Sequence, residues 1–248
     1  MRTFLVKLGL PSIPGTDQRN ETITGKPTMS LTLYYHPLAS YCHKVLIALY
    51  ENATPFDKKL VDLGDAQQRA ELRARWPFGK FPVIHDNERG RDIAESSIII
   101  EYLDQRHPGK HALIPRDPDE ELAARLWDRI FDNYVQGPVQ EIVADRLRDA
   151  NGDLAQAHAT LDTAYAMINR QLAPERWIVG RHFSMADCAA APALFYASTL
   201  RPFAAEHRRL AEYFERLMER PSVRRVIEEA KPYFAFYPFA SAIPERFR

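Results

Sequence analysis

Between residues 31 and 63 the spacing of apolar positions changes twice. "LTLYY" (31–35) has the alternation of a β-strand, which puts Tyr34 and Tyr35 on opposite faces. Residues 41–52 then place Val45, Leu46, Ala48 and Leu49 at helical spacing. "PFDKKLVDL" (55–63) reads as a second strand and completes a βαβ unit. A polar helical stretch follows, "DAQQRAELRAR" (65–75). "WPFGKFPVIHD", the turn signal "NERG" and "RDIAE" predict a hairpin with strands over 83–85 and 91–94. "SSIIIEYLDQRH" (96–107) predicts a helix with Ile99, Tyr102 and Leu103 inward.

"HPGKHALIPRDPD" (107–119) carries three prolines and a glycine and reads as a linker. Beyond it the period is helical throughout. Leu122, Leu126, Ile130 and Tyr134 recur every four residues as one apolar stripe, which Gly137 and Pro138 should kink or interrupt. Further helices are predicted over 153–173, ending near Pro174, and over "SMADCAAAPALFYASTL", "EHRRLAEYFERLMERP" and "SVRRVIEEAKP". An aromatic tail, "YFAFYPF", follows them. The organisation is a flexible extension (1–29), a small α/β domain (30–106), a linker (107–118) and an all-helical domain (119–248).

Composition narrows the class. The 248 residues are 46% hydrophobic and 27% charged, with 33 basic and 33 acidic side chains. That balance argues against an obligate nucleic-acid binder, which shows a basic surplus. A small anionic ligand needs only a local positive spot. Two cysteines, Cys42 and Cys188, build neither a disulfide framework nor a four-ligand zinc site, so no metal and a reducing, cytoplasmic setting are expected. No apolar run is long enough to span a membrane, and "FLVKLGL" is too short for a signal-peptide core.

Three stretches carry candidate chemistry. In "YYHPLASYCHKVLIALYEN" (34–52) a strand turns into a helix and aims backbone N–H groups at one spot. Ser40 there either caps the helix or offers a hydroxyl to a thiolate; Cys42 is either a nucleophile or an inward packing residue. In "FGKFPV" (78–83), Pro82 is either an edge-strand proline or a cis proline. A cis bond would leave the Phe81 N–H and C=O free to bind a peptide-like ligand. In "AESSIIIEYL" (94–103), Ser96 or Ser97 can cap a helix whose N–H groups hold a carboxylate, with Glu95 placed to receive an ammonium; capping alone also explains the serines. Ser184 and Asp187 in "FSMADC" have cap spacing and read as structural, and Cys188 reads as core.

The order "HPLASYCHKVLIAL", "WPFGKFPV", "ESSIIIEYL", linker and "GRHFSMADCAAA" resembles the cytosolic glutathione transferases of bacterial type, over roughly residues 30–230. The resemblance implies a thioredoxin-like first domain, an all-α helical bundle as the second, and a homodimer. It implies glutathione as co-substrate: the cysteinyl backbone on Phe81 beside cis-Pro82, the γ-glutamyl group on Glu95 and Ser96, and the glycyl carboxylate near Lys80. The implied activity is a detoxifying alkyl or aryl transfer, in which bound thiolate attacks a small hydrophobic electrophile. Glutathione-dependent reduction or isomerisation, and ligand binding without catalysis, are the alternatives.

The chain departs from this family in two places. Trp76 stands where the family usually has Asn. Ala39 stands where many members have Ser and thiol-reducing members have Cys, which excludes dithiol chemistry. Ser40 is then the preferred thiol activator, at the expected cap, with the Tyr35 phenol as alternative. His36, Tyr41, Phe131 and Tyr134 are the candidate electrophile pocket. The aromatic tail either folds over that pocket or packs on the bundle.

Overall fold

The computed structural model describes residues 29–173 and 176–248; the expected extension, apart from Met29, and the expected helix end at Pro174 lie outside them. A four-stranded mixed sheet in the order β2-β1-β3-β4 forms the first domain. Strand β1 (Leu31–Tyr35) pairs in parallel with β2 (Asp57–Leu60) and antiparallel with β3 (Val83–Asp86); β4 (Arg91–Ala94) pairs antiparallel with β3. Alternation divides the side chains as expected for period two. Leu31, Leu33 and Ile84 join the main core, while Tyr34 and Val83 pack with Val61, Leu63 and Leu72 on the other face. Helices α1 (Ser40–Glu51) and α3 (Ser96–Arg106) cover the first face, and α2 (Ala66–Arg75) supplies Leu72 to the second. Asp65 caps α2 by accepting from the N–H groups of Gln67 and Gln68. This is a thioredoxin-like domain.

β2 is shorter than expected. After Leu60 only the Val61 N–H still reaches the Tyr35 carbonyl, at 2.9 Å. Val61 and Leu63 then turn under α2, so their apolar character reflects burial off the ladder.

The second domain is helical: α4 (Pro118–Ile130), a π-helical segment (Phe131–Gln136), α5 (Gly137–Arg148), α6 (Ala155–Gln171), α7 (Met185–Leu200), α8 (Arg208–Glu219) and α9 (Pro221–Ala230). Short 3-10 turns over Lys231–Phe236, Ala240–Ala242 and Glu245–Phe247 form the tail. The expected interruption at Gly137 takes the form of the π-helical turn just before it, and helix resumes with Pro138 in its first turn.

The four-residue stripe on α4 is corrected by the structure. Leu122 is 69% exposed, Leu126 55% and Tyr134 55%, whereas Ala124, Trp127 and Ile130 are buried. A repeat of four drifts by about 40° per step around a helix of 3.6 residues per turn, so the row turns from the outer face at Leu122 and Leu126 to the core at Ile130, and Tyr134 lies beyond α4 in the π-helical segment.

α7 is buried along nearly its whole length and packs against α1, α4 and the π-helical segment. Its start is held by Asp187, whose carboxylate accepts from the Ser184 N–H and hydroxyl, the Ile178 N–H and the Tyr213 hydroxyl. Two clasps join the domains beside α1. The Arg220 guanidinium makes a two-point pair with Glu51 (2.7 and 2.5 Å), and Glu229 accepts from the Tyr50 hydroxyl and Lys58 Nζ.

Asp86 closes the hairpin onto α3. It is fully buried and accepts from the Glu88 and Arg89 N–H groups, the Tyr102 hydroxyl and His107 Nε2. Burial alone would raise its carboxyl, but the donors from Tyr102, Arg89 and His107 outweigh that and hold it well below the usual carboxylate range. Asp86→Ala should cost about 3 kcal/mol in urea unfolding at neutral pH. A depressed carboxyl stabilises the fold above its unfolded pKa. The difference between wild type and variant should therefore shrink as the pH falls below about 4.

Candidate functional site

Strand register gathers three backbone features at one end of the sheet. β1 runs into α1 there, and Tyr34 near the end of β1 pairs with Val83 at the start of β3. Val83 in turn pairs with Ala94, the last residue of β4 before α3. The start of α1, the Phe81–Pro82 turn and the start of α3 are thus neighbours.

At α1 the N-cap is Ala39, in extended conformation with no side-chain cap, and Ser40 is the first helical residue. This corrects the expected position of Ser40 at the cap: the helix begins one residue earlier than its apolar spacing indicates. The Ser40 and Tyr41 N–H groups have no acceptor among the described residues, as at any open helix start. The turn before them is closely held. The Leu38 N–H donates to His36 Nδ1 (3.2 Å), the Ala39 N–H donates to the His36 carbonyl (3.1 Å), and His43 Nε2–H donates to the Pro37 carbonyl (2.5 Å). Burial pushes His43 down to about 4, so it is a neutral donor pinning the turn. Cys42 is fully buried, and burial pushes its thiol well above the ordinary range against the weaker opposing effect of a hydrogen bond from the His36 backbone. It is a packing residue.

The Phe81–Pro82 peptide bond is cis. Phe81 precedes β3 and makes no main-chain hydrogen bond among the described residues. Lys80 beside it is exposed, and the Phe81 ring stacks on His36 at 5.8 Å between centroids, 16° from parallel.

At α3 the N-cap position is taken by Glu95, with φ 68° and ψ 115°. Neither Ser96 nor Ser97 caps the helix, which corrects that expectation. A non-glycine residue at positive φ costs about 1–3 kcal/mol and commonly marks a ligand-binding turn. The Glu95 carboxylate is exposed and has no partner among the described residues, while Ser96 is buried at the open helix start.

Ser97 instead joins a buried ion cluster between the domains. Lys44 Nζ from α1 donates to the Ser97 hydroxyl and to Asp132 (2.8 Å each) and lies 2.5 Å from Asp128. The Ser97 hydroxyl donates to Asp128 at 2.6 Å, and the Arg129 guanidinium reaches Asp128, Asp132 and Ser97 from the surface side. Two cations thus face two carboxylates. Burial still pushes the Asp132 carboxyl up, against the pull of Lys44. The sequence reading missed this cluster. Its signal was a lysine inside "CHKVLIAL", followed directly by five apolar residues.

The remaining candidates disperse. Ser40 and Tyr41 line a crevice with Lys44, Asp132, Gln136 and the α7 wall of Ala189, Pro192 and Ala193. The Tyr41 hydroxyl donates to the Asp132 carbonyl at 3.3 Å. Tyr35 is half-buried; burial, Glu229 and Tyr233 push its phenol up to about 12, so it stays protonated at neutral pH. Phe131 is fully buried against Trp127 and offers a ligand no surface, so it is removed from the candidate pocket. Tyr134 makes no ring contact with His36 or Tyr41. Tyr233 at the start of the aromatic tail lies edge-on to His36 at 6.4 Å. The tail packs on the bundle, with Phe234 stacked on Phe195, and Tyr233 borders the turn beside His36.

Among the described residues no helix is long and apolar enough to cross a membrane, and no group of three or more His, Cys, Asp or Glu side chains is placed to hold a metal.

A thioredoxin-like domain with a cis-proline turn between two open helix starts, fused to an all-helical domain, defines the class. The family models for the glutathione S-transferase N-terminal and C-terminal domains match residues 33–111 and 144–216. A glutathione S-transferase from Methylobacterium radiotolerans, solved in complex with glutathione sulfonate, is 30% identical with a TM-score of 0.69, covering 79% of this chain and 93% of that one. Glutathione S-transferase GstB from Escherichia coli is 26% identical over 79% of this chain and 97% of its own length. FtsZ-localized protein A from Caulobacter vibrioides is 28% identical over 82% and 93%. The chain belongs to the glutathione S-transferase family.

Lys44→Ala should cost about 3–5 kcal/mol in urea unfolding, because it removes the buried cation from two carboxylates and leaves them only the half-exposed Arg129. Lys44→Met combined with Asp128→Asn and Asp132→Asn should recover much of that loss. A single Lys44→Ala cost below about 1 kcal/mol would show that the cluster is not sealed from water.

Proposed function

We propose that this chain is a glutathione transferase that stabilises bound glutathione as its thiolate and adds the sulfur to a small hydrophobic electrophile. The observation that carries the reading is the convergence of the three features at one sheet end. Free main-chain groups on Phe81 suit a peptide backbone. The α3 start with Ser96 suits the γ-glutamyl carboxylate, and unpartnered Glu95 suits its ammonium. Exposed Lys80, next to Phe81, suits the glycyl carboxylate. The α1 start then faces the cysteinyl sulfur, and its N–H groups favour a negative charge there. The reaction needs no cofactor beyond glutathione. The thiol proton leaves to water, the sulfur pair forms a C–S bond, and either a leaving group departs with its bonding pair or the attacked alkene takes a proton from water.

A second reading, binding without catalysis, is favoured by one residue, Ala39. The likeness to a protein named for its localisation with FtsZ points the same way. Thiol-disulfide reduction is disfavoured, since Ala39 removes the exposed cysteine and Cys42 is sealed in the core.

We also propose a cytoplasmic homodimer built on the α3–α4 face. Ile98 (54% exposed), Leu122 and Leu126 surround the Arg125–Glu101 ion pair that joins these two helices. Exposed apolar residues grouped in this way mark an association surface. Leu126→Glu should shift the protein to monomer by light scattering; a wild-type monomer would remove this proposal.

Titration of ultraviolet thiolate absorbance should show a bound thiol well below its free value of about 8.5. Ser96→Ala should raise KM for glutathione about tenfold with little change in kcat, the worth of one hydrogen bond to a charged group. Glutathione binding with an unshifted thiol would favour the non-catalytic reading.

A further inference from the structure

Given Ala39, three side chains compete to hold the thiolate. Ser40 is buried and lines the crevice with Lys44 and Gln136. The Tyr35 phenol, half-buried at the end of β1, makes no ring contact with Phe81 among the described residues. His36 alone has its ring against Phe81, the residue whose main chain is free for the cysteinyl group.

We infer that His36 is the catalytic residue that stabilises the glutathione thiolate, as a neutral imidazole donating Nε2–H to the sulfur; this rests on the glutathione-site reading above. The tautomer is set by geometry. Nδ1 accepts from the Leu38 N–H, so the ring proton sits on Nε2. Nε2 has no hydrogen-bond partner among the described residues and is not one of the sealed, unpaired atoms, so it remains available to a ligand. Phe81 fixes one face of the ring and Tyr233 meets it edge-on, which leaves little rotational freedom. Burial lowers the imidazole below its ordinary value, against a weaker opposing pull from Asp62. His36 therefore remains a neutral donor through neutral pH. No proton is transferred to or from His36: the thiol proton leaves to water, and the imidazole only hydrogen-bonds the sulfur that remains. This role resembles that of a preorganised hydroxyl, supplied from the last turn before the helix in place of its first residue.

The test uses the full-length protein in two arms. In wild-type protein with 15N-labelled histidine, glutathione should shift the His36 Nε2–H proton downfield, whereas S-methylglutathione, which has no thiolate, should leave it in place. In the second arm, His36→Phe keeps the ring against Phe81 and removes the donor. It should bind glutathione within about threefold of wild type, carry about tenfold less thiolate near pH 7 and lose about tenfold in kcat/KM. His36→Gln, which restores an N–H, should recover part of both. An unchanged bound-thiol pKa in His36→Phe, or a Nε2–H signal that ignores glutathione, overturns the assignment while leaving glutathione binding intact. Loss of the thiolate in Ser40→Ala with none in His36→Phe overturns it in favour of the hydroxyl. Absence of glutathione binding by the wild type overturns the underlying reading, and this inference with it.

Discussion

The structure depends on burying α1 from both sides. Ser40 and every residue from Cys42 to Leu49 are buried, against the sheet on one side and α7 on the other. Local signals for this helix are weak: no side-chain cap, no acidic residue in the first turn and no basic residue in the last. A cap or a favourable dipole contact is worth about 1 kcal/mol, while each fully buried Leu, Ile or Val contributes about 2. Packing therefore decides where α1 begins and how it is tilted. Its open N–H groups hold a fixed direction because the helix behind them cannot move without disturbing both domains.

Lys44 shows what this sandwich requires of a polar side chain. Its charge is satisfied only because α3 brings Ser97 and the α4–π segment brings Asp128 and Asp132. A buried pair of this kind gains little over an apolar replacement, but it tolerates few geometries. It ties the start of α3, where Glu95 sits at positive φ, to a fixed point on α1. The strain at Glu95 is offset by Ile99, Ile100 and Leu103, which are buried one and two turns further on. Two openings of the candidate site are in this way held at a set distance by contacts that touch no ligand.

Element order was legible in the sequence because strand alternation and helical spacing survive wherever one face meets a core. Tyr34 and Tyr35 fall on opposite faces as their spacing requires, and the strand-turn-helix, Phe81–Pro82 and Glu95–Ser96 stretches meet because the register forces it. Leu122 and Leu126 misled for a physical reason: apolar residues on α4 also occupy an outer face, and periodicity alone cannot separate a core stripe from a surface one. Phe131 likewise has the composition of either a pocket wall or a core residue, and only burial distinguishes them. Lys44 was missed because its role arises from partners about 50 to 90 residues away, which no local pattern encodes.

The remaining question is energetic. Lowering a thiol from about 8.5 to about 6.5 requires about 2.7 kcal/mol in favour of the charged form. A helix N-terminus supplies about 1 kcal/mol near the surface, rising to about 2 when partly buried. One hydrogen bond to a charged acceptor supplies about 1.5–3. The two together suffice, whereas the helix start alone falls short. A chain with alanine at position 39 must therefore recruit its second donor from outside the usual residue, or leave the bound thiol largely protonated at neutral pH. The stacked, tautomer-locked ring of His36 is built to provide such a donor. Ser40 lies one residue further into the helix, buried where it lines a crevice with Lys44 and Asp132. Whether the chain catalyses or only binds then turns on a single neutral N–H at the edge of the sheet.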